Sequence, residues 1–209
     1  MKRLVDCHLY AILDLSYVDI SNSNRVAELL IDGGVDLIQL RGKKVNLETL
    51  SRVAADLHPI SSRAGLPLII NDHPEIAASV SLEGVHVGQD DLSIHEVRQK
   101  VDRACLVGKS THSVDQAIAA QVEGADYIGF GPLFATPTKP NYSPIGLDHI
   151  AEVHEKVRLP IFCIGGIKLD NLRDVIAAGA RRVVIVSGLL QPPSIAAAAQ
   201  SAKQLLTAA

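Results

Sequence analysis

The stretch Asp126-Tyr-Ile-Gly-Phe-Gly-Pro-Leu-Phe-Ala-Thr-Pro-Thr-Lys139 joins an apolar run to a polar loop. Its first half is interrupted by Gly129 and Gly131, which is typical of a buried strand that ends in an abrupt turn. Its second half, residues 136–139, places two hydroxyls and an ammonium on one short loop. Hydroxyls, free backbone N–H groups and a lysine beyond a strand suit a phosphate or a diphosphate, although an ordinary solvated loop has the same residue types.

The same alternation of an apolar run and an amphipathic stretch repeats along the whole chain. The predicted strands cover residues 9–14, 35–41, 68–70, 84–87, 104–107, 127–130, 160–164 and 182–186. The predicted helices cover residues 24–32, 47–64, 76–80, 94–101, 114–123, 147–157, 172–178 and 194–206. Eight such units of roughly 25 residues indicate an α/β fold, a single (β/α)8 or TIM barrel over residues 1–209. A doubly wound sheet is disfavoured because no Gly-x-Gly-x-x-Gly turn follows the first strand.

The composition is that of a soluble globular protein, with 209 residues, 47% of them hydrophobic, and a net charge of −3. No basic run or aromatic platform indicates nucleic-acid binding, and no apolar stretch reaches the ~18 residues of a membrane span. The three cysteines lie far apart, so we expect buried thiols without disulfides and a cytoplasmic location. The oligomeric state stays open, a homo-oligomer included.

Polar residues follow seven of the predicted strands. In a barrel the carboxyl ends of the strands meet at one face, where the active groups lie. The candidate site residues at these ends are Gln39, Arg41, Lys43, Asn71, Asp72, Asp91, Ser110, Thr136, Thr138, Lys139, Gly166, Val186 and Ser187. Each has an ordinary alternative use, and Asp72, for example, could cap the helix that follows it. Their occurrence at the same end of successive units is what indicates a site.

The residue types form two complementary sets. Asp72 and Asp91 are hard oxygen ligands on neighbouring strands and suit Mg²⁺ held together with water and substrate phosphate. The cations after strands two and six, with the two loop hydroxyls, suit phosphate oxygens directly. The loops that contain Gly166 and Ser187 indicate a second phosphate site, because barrels frequently bind phosphate after strands seven and eight. These sets predict an enzyme that joins or cleaves phosphorylated small molecules with Mg²⁺.

Six motifs occur in chain order: Gln-Leu-Arg-x-Lys, Ile-Asn-Asp, Gly-Val-His-Val-Gly-Gln-Asp-Asp, Gly-x-Ser-Thr-His, Asp-Tyr-Ile-Gly-x-Gly-Pro-x-x-x-Thr-x-Thr-Lys and Ile-Gly-Gly-Ile. With them the chain resembles, from Leu9 to about Leu190, the thiamine phosphate synthase family of (β/α)8 barrels. That family couples hydroxymethylpyrimidine diphosphate to thiazole phosphate and releases pyrophosphate. The resemblance therefore implies a transferase with these two small-molecule substrates. It also implies a dissociative mechanism, in which the pyrimidine methylene becomes a cation that the thiazole nitrogen attacks.

The resemblance also implies a role for each matched residue. Asp72 and Asp91 would bind the cofactor Mg²⁺. The pyrimidine diphosphate would be contacted by Gln39, Arg41, Lys43, Asn71, Ser110 and Lys139, of which Arg41, Ser110 and Lys139 are expected to act in catalysis. The thiazole phosphate would be held by Thr136, Thr138, Gly166, Val186 and Ser187. Gly42 stands where the family usually carries an acid or another polar residue, which predicts a looser loop after strand two.

Two alternatives remain open at this point. A related thiazole tautomerase has the same fold and uses a histidine after strand five as acid and base, and His112 stands at that position. The other alternative is a non-catalytic barrel that only binds a thiamine precursor. The acid pair and Lys139 favour the synthase, because neither alternative has an obvious use for groups that neutralise a leaving diphosphate.

Overall fold

The computed structural model describes residues 2–136 and 143–208, in which eight parallel strands close into a barrel in sequence order. The strands are β1 (Leu9–Asp14), β2 (Leu37–Arg41), β3 (Leu68–Asn71), β4 (Gly84–Val87), β5 (Leu106–Thr111), β6 (Tyr127–Phe130), β7 (Ile161–Ile164) and β8 (Val183–Ile185). The helices in the described part are α1 (Ser23–Asp32), α2 (Leu47–Arg63), α3 (Pro74–Val80), α4 (Ile94–Arg98), α5 (Val114–Val122), α6 (Ile150–Lys156), α7 (Leu172–Ala177), α8 (Ser187–Leu190) and α9 (Ile195–Thr207). The predicted (β/α)8 barrel is confirmed.

The predicted boundaries differ from the structure mainly at β5 and after β8. The apolar run 104–107 places β5 too early, because the strand extends to Thr111 and pairs Ser110 with Gly129 of β6. Residues 187–188, predicted as a loop, begin the short helix α8. In both places polar residues that a hydrophobic pattern assigns to loops belong to regular structure. None of the helices in residues 2–136 and 143–208 combines the length and the apolar character that a membrane crossing needs.

Side chains alternate between the inside of the barrel and the helix layer. Tyr10 of β1 packs inside the barrel with Tyr127 and Phe162, whereas its neighbour Leu9 packs in the larger apolar cluster that includes the helices. The three rings stand edge to face with centroids 5.4, 5.7 and 6.0 Å apart. They fill the middle of the barrel, so that the open space lies above them, at the carboxyl ends of the strands.

Acidic residues close the opposite, amino-terminal end of the barrel. Each precedes an even-numbered strand and accepts a hydrogen bond from an early backbone N–H of the odd-numbered strand beside it. The pairs are Asp36 with Leu9 at 2.9 Å, Glu83 with Leu68 at 2.8 Å and Asp126 with Val107 at 2.7 Å. These repeated contacts supply acceptors for backbone N–H groups at the amino-terminal end of the barrel, which the hydrogen bonds between strands leave unpaired.

Asp36 makes more of these contacts than the other two acids and gives a stability prediction. Its side chain has no exposed surface and accepts hydrogen bonds from Lys203 at 2.5 and 2.7 Å and from Lys2. In Asp36→Ala these donors lose their acceptor, so we expect the free energy of unfolding in urea to fall by about 3–5 kcal/mol. The control Asp32→Ala, at an exposed position of α1, should change it by less than about 0.5 kcal/mol. Equal effects of the two substitutions would contradict a stabilising role for the buried carboxylate of Asp36.

The same carboxylate predicts a dependence of stability on pH. Burial raises the pKa of Asp36, but the hydrogen bonds from Lys2, Lys203 and the backbone outweigh burial and leave the pKa below its ordinary value. Because the folded-state pKa is the lower one, the group stabilises the fold above roughly pH 4 and loses that contribution at lower pH. The difference in melting temperature between wild type and Asp36→Asn should therefore shrink as the pH falls. A difference that stays constant from pH 7 into the acid range would show that the contacts do not depend on charge.

Candidate active site

A cavity of about 430 Å³ opens at the carboxyl ends of the strands. Its walls include eleven of the residues that the sequence predicted, namely Gln39, Arg41, Lys43, Asn71, Asp72, Asp91, Ser110, Thr136, Gly166, Val186 and Ser187. Thr138 and Lys139 lie outside the described residues, so their roles stay predictions. Every candidate residue that the structure describes thus lies on one cavity.

The acidic pair lies at the end of β3 and in the turn after β4. Lys43 contacts the carboxylate of Asp72, and its Nζ lies 4.0 Å from Oδ1 of Asp91. Asn71 donates a hydrogen bond to Asp72 at 2.6 Å, and the N–H of Gly88 donates to Asp91 at 2.8 Å. Burial raises the pKa of the Asp72 carboxyl, with a further contribution from Asp91 and against the lowering effect of Lys43. Burial and the neighbouring Asp91 thus both disfavour the charged form of Asp72, and Lys43 partly offsets them.

The backbone of Asp72 turns its carboxylate toward the cavity. Its φ is +65°, in the left-handed region that few residues other than glycine adopt. The N–H of Asp72 donates to the carbonyl of His86 at 2.9 Å, which ties this turn to β4. The N-cap of α3 is His73, whose side chain makes no capping hydrogen bond. The capping role considered for Asp72 is therefore wrong, and Asp72 lines the cavity instead.

Arg41 is oriented by a buried carboxylate that the sequence analysis missed. Asp14, at the end of β1, is 1% exposed and forms an ion pair with the guanidinium of Arg41. Ser16 donates to the other oxygen of Asp14 from its backbone and its hydroxyl, at 2.9 and 2.7 Å. An acid at the end of a strand resembles a turn residue in sequence, and only the pairing of β1 with β2 shows its partner.

The loop after β2 packs closely around Gly42. A Cβ at this position would lie 2.8 Å from a methyl group of Leu50 and 3.2 Å from one of Leu15. Contacts that short leave no room for a side chain without movement of its neighbours. The expectation of a looser loop is therefore wrong, because the missing side chain permits tight packing below Lys43.

The loops after β7 and β8 form the wall where the second phosphate was predicted. Gly165 and Gly166 have φ values of +102° and +66°, a conformation that favours glycine. Asn171 braces this turn, since its Oδ1 accepts from the N–H of Lys168 at 2.8 Å and its Nδ2 donates to the carbonyl of Gly166 at 2.9 Å. Ser187 starts α8, whose first N–H groups have no acceptor within the helix. Backbone donors on adjacent loops suit a phosphate.

His112 lies on the cavity wall after β5. A carbonyl oxygen can only accept, so its Nδ1 donates to the carbonyl of Gly131, and its backbone N–H donates to Gln116 at 2.7 Å. These bonds anchor the turn that follows β6. Because His112 lines the cavity, its position is also compatible with the proton transfer of the tautomerase alternative.

A network of buried polar side chains crosses the barrel beneath the cavity. Gln39 donates to the hydroxyl of Tyr10 at 2.6 Å, and this hydroxyl lies 3.1 Å from that of Tyr127. The hydroxyl of Tyr127 lies 3.2 Å from Nδ1 of His86, whose Nε2 lies 3.0 Å from Oγ of Ser110. The network links two candidate residues through three that the sequence analysis did not select. Their polar groups within otherwise apolar strands were a signal for these three residues, although not for their contacts across the barrel.

Cations and acids on one wall, with a glycine turn on the other, place this cavity in the class of phosphate-handling (β/α)8-barrel enzymes. Comparison with known proteins narrows that class. A model of the thiamine monophosphate synthase family matches residues 9–189. This chain belongs to that family.

Individual relatives match over almost their whole length. The thiamine-phosphate synthase of Chloroflexus aurantiacus is 38% identical over 208 residues, which cover 99% of this chain and 96% of the relative. That of Shouchella clausii is 40% identical over 194 residues, which cover 92% and 93%. Among solved structures, the thiamine phosphate pyrophosphorylase of Pyrococcus furiosus has a TM-score of 0.87 to this chain. The match covers 97% of this chain and 96% of the other at 24% sequence identity, so it shows a similar fold. The resemblance identified from the motifs is confirmed.

Proposed function

We propose that this cavity couples hydroxymethylpyrimidine diphosphate to thiazole phosphate in the presence of Mg²⁺, giving thiamine phosphate and pyrophosphate. Membership of the family makes the chain an enzyme of the transferase class. The observation that carries the residue roles is the pair Asp72 and Asp91 with Lys43 beside both, on the same cavity as Arg41 and Ser110. A departing diphosphate requires positive charge on one side of a binding site, and this wall supplies the groups that hold it.

The acidic pair fits magnesium. Asp72 and Asp91 provide carboxylate oxygens, which Mg²⁺ prefers, and the raised pKa of Asp72 reflects a site that favours added positive charge. No group of three or more histidine, cysteine or carboxylate side chains in residues 2–136 and 143–208 is placed to hold a metal. Mg²⁺ bound here would thus complete its coordination with water and diphosphate oxygens, and it would offset the charge of the leaving group.

The cations of the chain bind and orient the diphosphate. Arg41, fixed by Asp14, presents a guanidinium to the phosphate oxygens, and Lys43, which contacts Asp72, supplies an ammonium on the same cavity. Both groups stabilise the charge that develops as the bond between the methylene carbon and the diphosphate oxygen breaks. Lys139, which the structure does not describe, is expected from its sequence position to assist them.

Apolar side chains protect the cation that this bond cleavage leaves on the pyrimidine. Ile12, Ile164 and Val184 line the cavity together with Ser110. They limit the access of water, so that the thiazole nitrogen rather than a water molecule attacks the methylene carbon. The glycine turn at Gly166 would hold the thiazole phosphate and bring that nitrogen into position.

Binding of inorganic pyrophosphate, measured by calorimetry with and without Mg²⁺, tests the diphosphate side of this proposal. We expect Mg²⁺ to tighten binding by about tenfold or more in the wild type, because the metal links the acids to the ligand. Asp72→Asn should lose most of this gain, whereas Asp115→Asn, at an exposed position of α5, should keep it. Pyrophosphate binding that is independent of Mg²⁺ in the wild type would disprove the magnesium role.

We further propose that the partners of the chain are its two small-molecule substrates and that it acts in the cytoplasm. A homo-oligomer stays a prediction, as do the roles of Thr138 and Lys139, which lie outside the described residues.

A further inference from the structure

We propose that the interior network of Gln39, Tyr10, Tyr127, His86 and Ser110 donates in one direction and so determines what the cavity presents to a pyrimidine. The presented groups are the carbonyl oxygen of Gln39 and the hydroxyl proton of Ser110. The inference rests on the proposed function for the identity of the ligand. It adds Tyr10, Tyr127 and His86 as positioning residues, which act through the two cavity residues.

The orientation of the Gln39 amide in the structure, together with the count of donors, gives the direction. Nε2 of Gln39 only donates, so the hydroxyl of Tyr10 accepts from it at 2.6 Å. Tyr10 has one proton, which it donates to Tyr127 at 3.1 Å, and Tyr127 donates its own to Nδ1 of His86 at 3.2 Å. An imidazole that accepts at Nδ1 carries its proton on Nε2, which donates to Ser110 at 3.0 Å. The hydroxyl proton of Ser110 is then directed toward the cavity.

While Nε2 of Gln39 donates to Tyr10, the opposite direction leaves a buried proton unsatisfied. If Tyr127 donated to Tyr10, then Tyr10 would accept twice, and its proton would have no acceptor among the described residues. Tyr10 is 1% exposed, so bulk solvent does not reach this proton, and an unmade buried hydrogen bond is costly. Burial raises the pKa of both phenols, which therefore keep their protons. The opposite direction would satisfy every group only if the Gln39 amide were rotated by 180°. Its carbonyl oxygen would then accept from Tyr10, and every hydrogen bond of the network would be reversed.

The surroundings hold the network in place. A Cβ on Gly108 would lie 2.2 Å from Cζ of Tyr127 and 2.6 Å from Nδ1 of His86, so a glycine is needed where these two groups meet. Phe162 packs edge to face against Tyr10 and Tyr127, with centroids 5.4 and 5.7 Å apart. Rings fixed on both sides keep their hydroxyls at hydrogen-bonding distance.

The presented groups match an aminopyrimidine edge. An exocyclic amine donates to the carbonyl of Gln39, and a ring nitrogen accepts from the hydroxyl of Ser110. The 4-oxo analogue in its ring N–H form has the opposite polarity and would place one carbonyl against another. We expect wild type to bind the 4-amino diphosphate at least about tenfold more tightly than the 4-oxo diphosphate.

Nitrogen NMR of His86 in the ligand-free protein tests the direction without reference to any activity. We expect the tautomer with the proton on Nε2, with the signals assigned by their loss in His86→Asn. Tyr127→Phe should shift the Nδ1 resonance because it removes the donor, whereas Tyr17→Phe, at a half-buried tyrosine outside the network, should not. A proton on Nδ1 in the wild type would overturn the proposed direction.

Binding of the two diphosphates tests the consequence. Tyr10→Phe and Tyr127→Phe should lower the preference for the amino compound several-fold, while Tyr17→Phe keeps it and all three variants bind inorganic pyrophosphate as the wild type does. Equal preference in wild type and both network variants would overturn the positioning role, even if coupling activity is present. Binding of neither diphosphate by wild type would instead overturn the proposed function together with the ligand named here.

Discussion

Asp91→Asn should abolish pyrophosphate release, with a rate at least about 10²–10³-fold below that of the wild type. The substitution keeps an oxygen for the N–H of Gly88, which now donates to Asp91 at 2.8 Å, so the turn after β4 should stay closed. It removes the negative charge that, with Asp72, would hold Mg²⁺ beside the diphosphate. The measurement is the initial rate of pyrophosphate release with both substrates and Mg²⁺, with thermal melts to verify folding.

His112→Asn is the informative partner of that variant. The synthase reaction needs no protein acid or base at His112, so the variant should retain much of the wild-type rate. A tautomerase reaction depends on a titratable group near neutral pH and has no use for Asp91 in metal binding. If His112→Asn lost and Asp91→Asn kept a thiazole tautomerase activity of the wild type, and the wild type released no pyrophosphate, then the chain would be an isomerase.

Gly166→Ala should raise the KM for thiazole phosphate by roughly tenfold to a hundredfold, from the loss of one or two backbone donors to the phosphate. A Cβ on Gly166 would lie 2.7 Å from Cβ of Phe134 and 2.9 Å from the carbonyl oxygen of Ala135, so the turn must move. The KM for the pyrimidine diphosphate should change little, because we propose that this substrate binds at the opposite wall. Steady-state kinetics with each substrate varied in turn provides both values.

Gly65→Ala separates this steric effect from the cost of an unfavourable backbone conformation. Gly65 has φ +69°, close to the +66° of Gly166, and a Cβ there would have no atom of the described residues within 4 Å. We expect Gly65→Ala to lose about 1 kcal/mol of stability and to keep wild-type kinetics. If Gly166→Ala also keeps the wild-type KM for thiazole phosphate, then the turn after β7 does not bind that phosphate.

The barrel was predictable because each strand is an apolar run of the expected length and each helix has an amphipathic period. The site was predictable in outline because the closure of the barrel brings the carboxyl ends of the strands together, whatever the details of the loops. The end of β5 was placed wrongly because Lys109, which is buried, and Ser110, which lines the cavity, are polar residues inside a strand. Hydrophobic pattern alone has no means to identify such positions.

Other parts of the site depend on pairs that are distant in sequence. Tyr10 and Tyr127 are separated by 117 positions, and Asp14 and Arg41 by 27. A single sequence does not show which polar residues of an apolar strand meet across the barrel, so the interior network could not be predicted. The close packing around Gly42 was also hidden, since it depends on how Leu50 of α2 returns over the loop.

A single incubation of the protein with hydroxymethylpyrimidine diphosphate, thiazole phosphate and Mg²⁺ tests the proposed coupling reaction most directly. Pyrophosphate and thiamine phosphate are measured in parallel. We expect both products to form in equal amounts and neither to form when one substrate or the metal is left out. Binding of the substrates without products, or a change in the thiazole compound alone, would contradict the proposed coupling reaction.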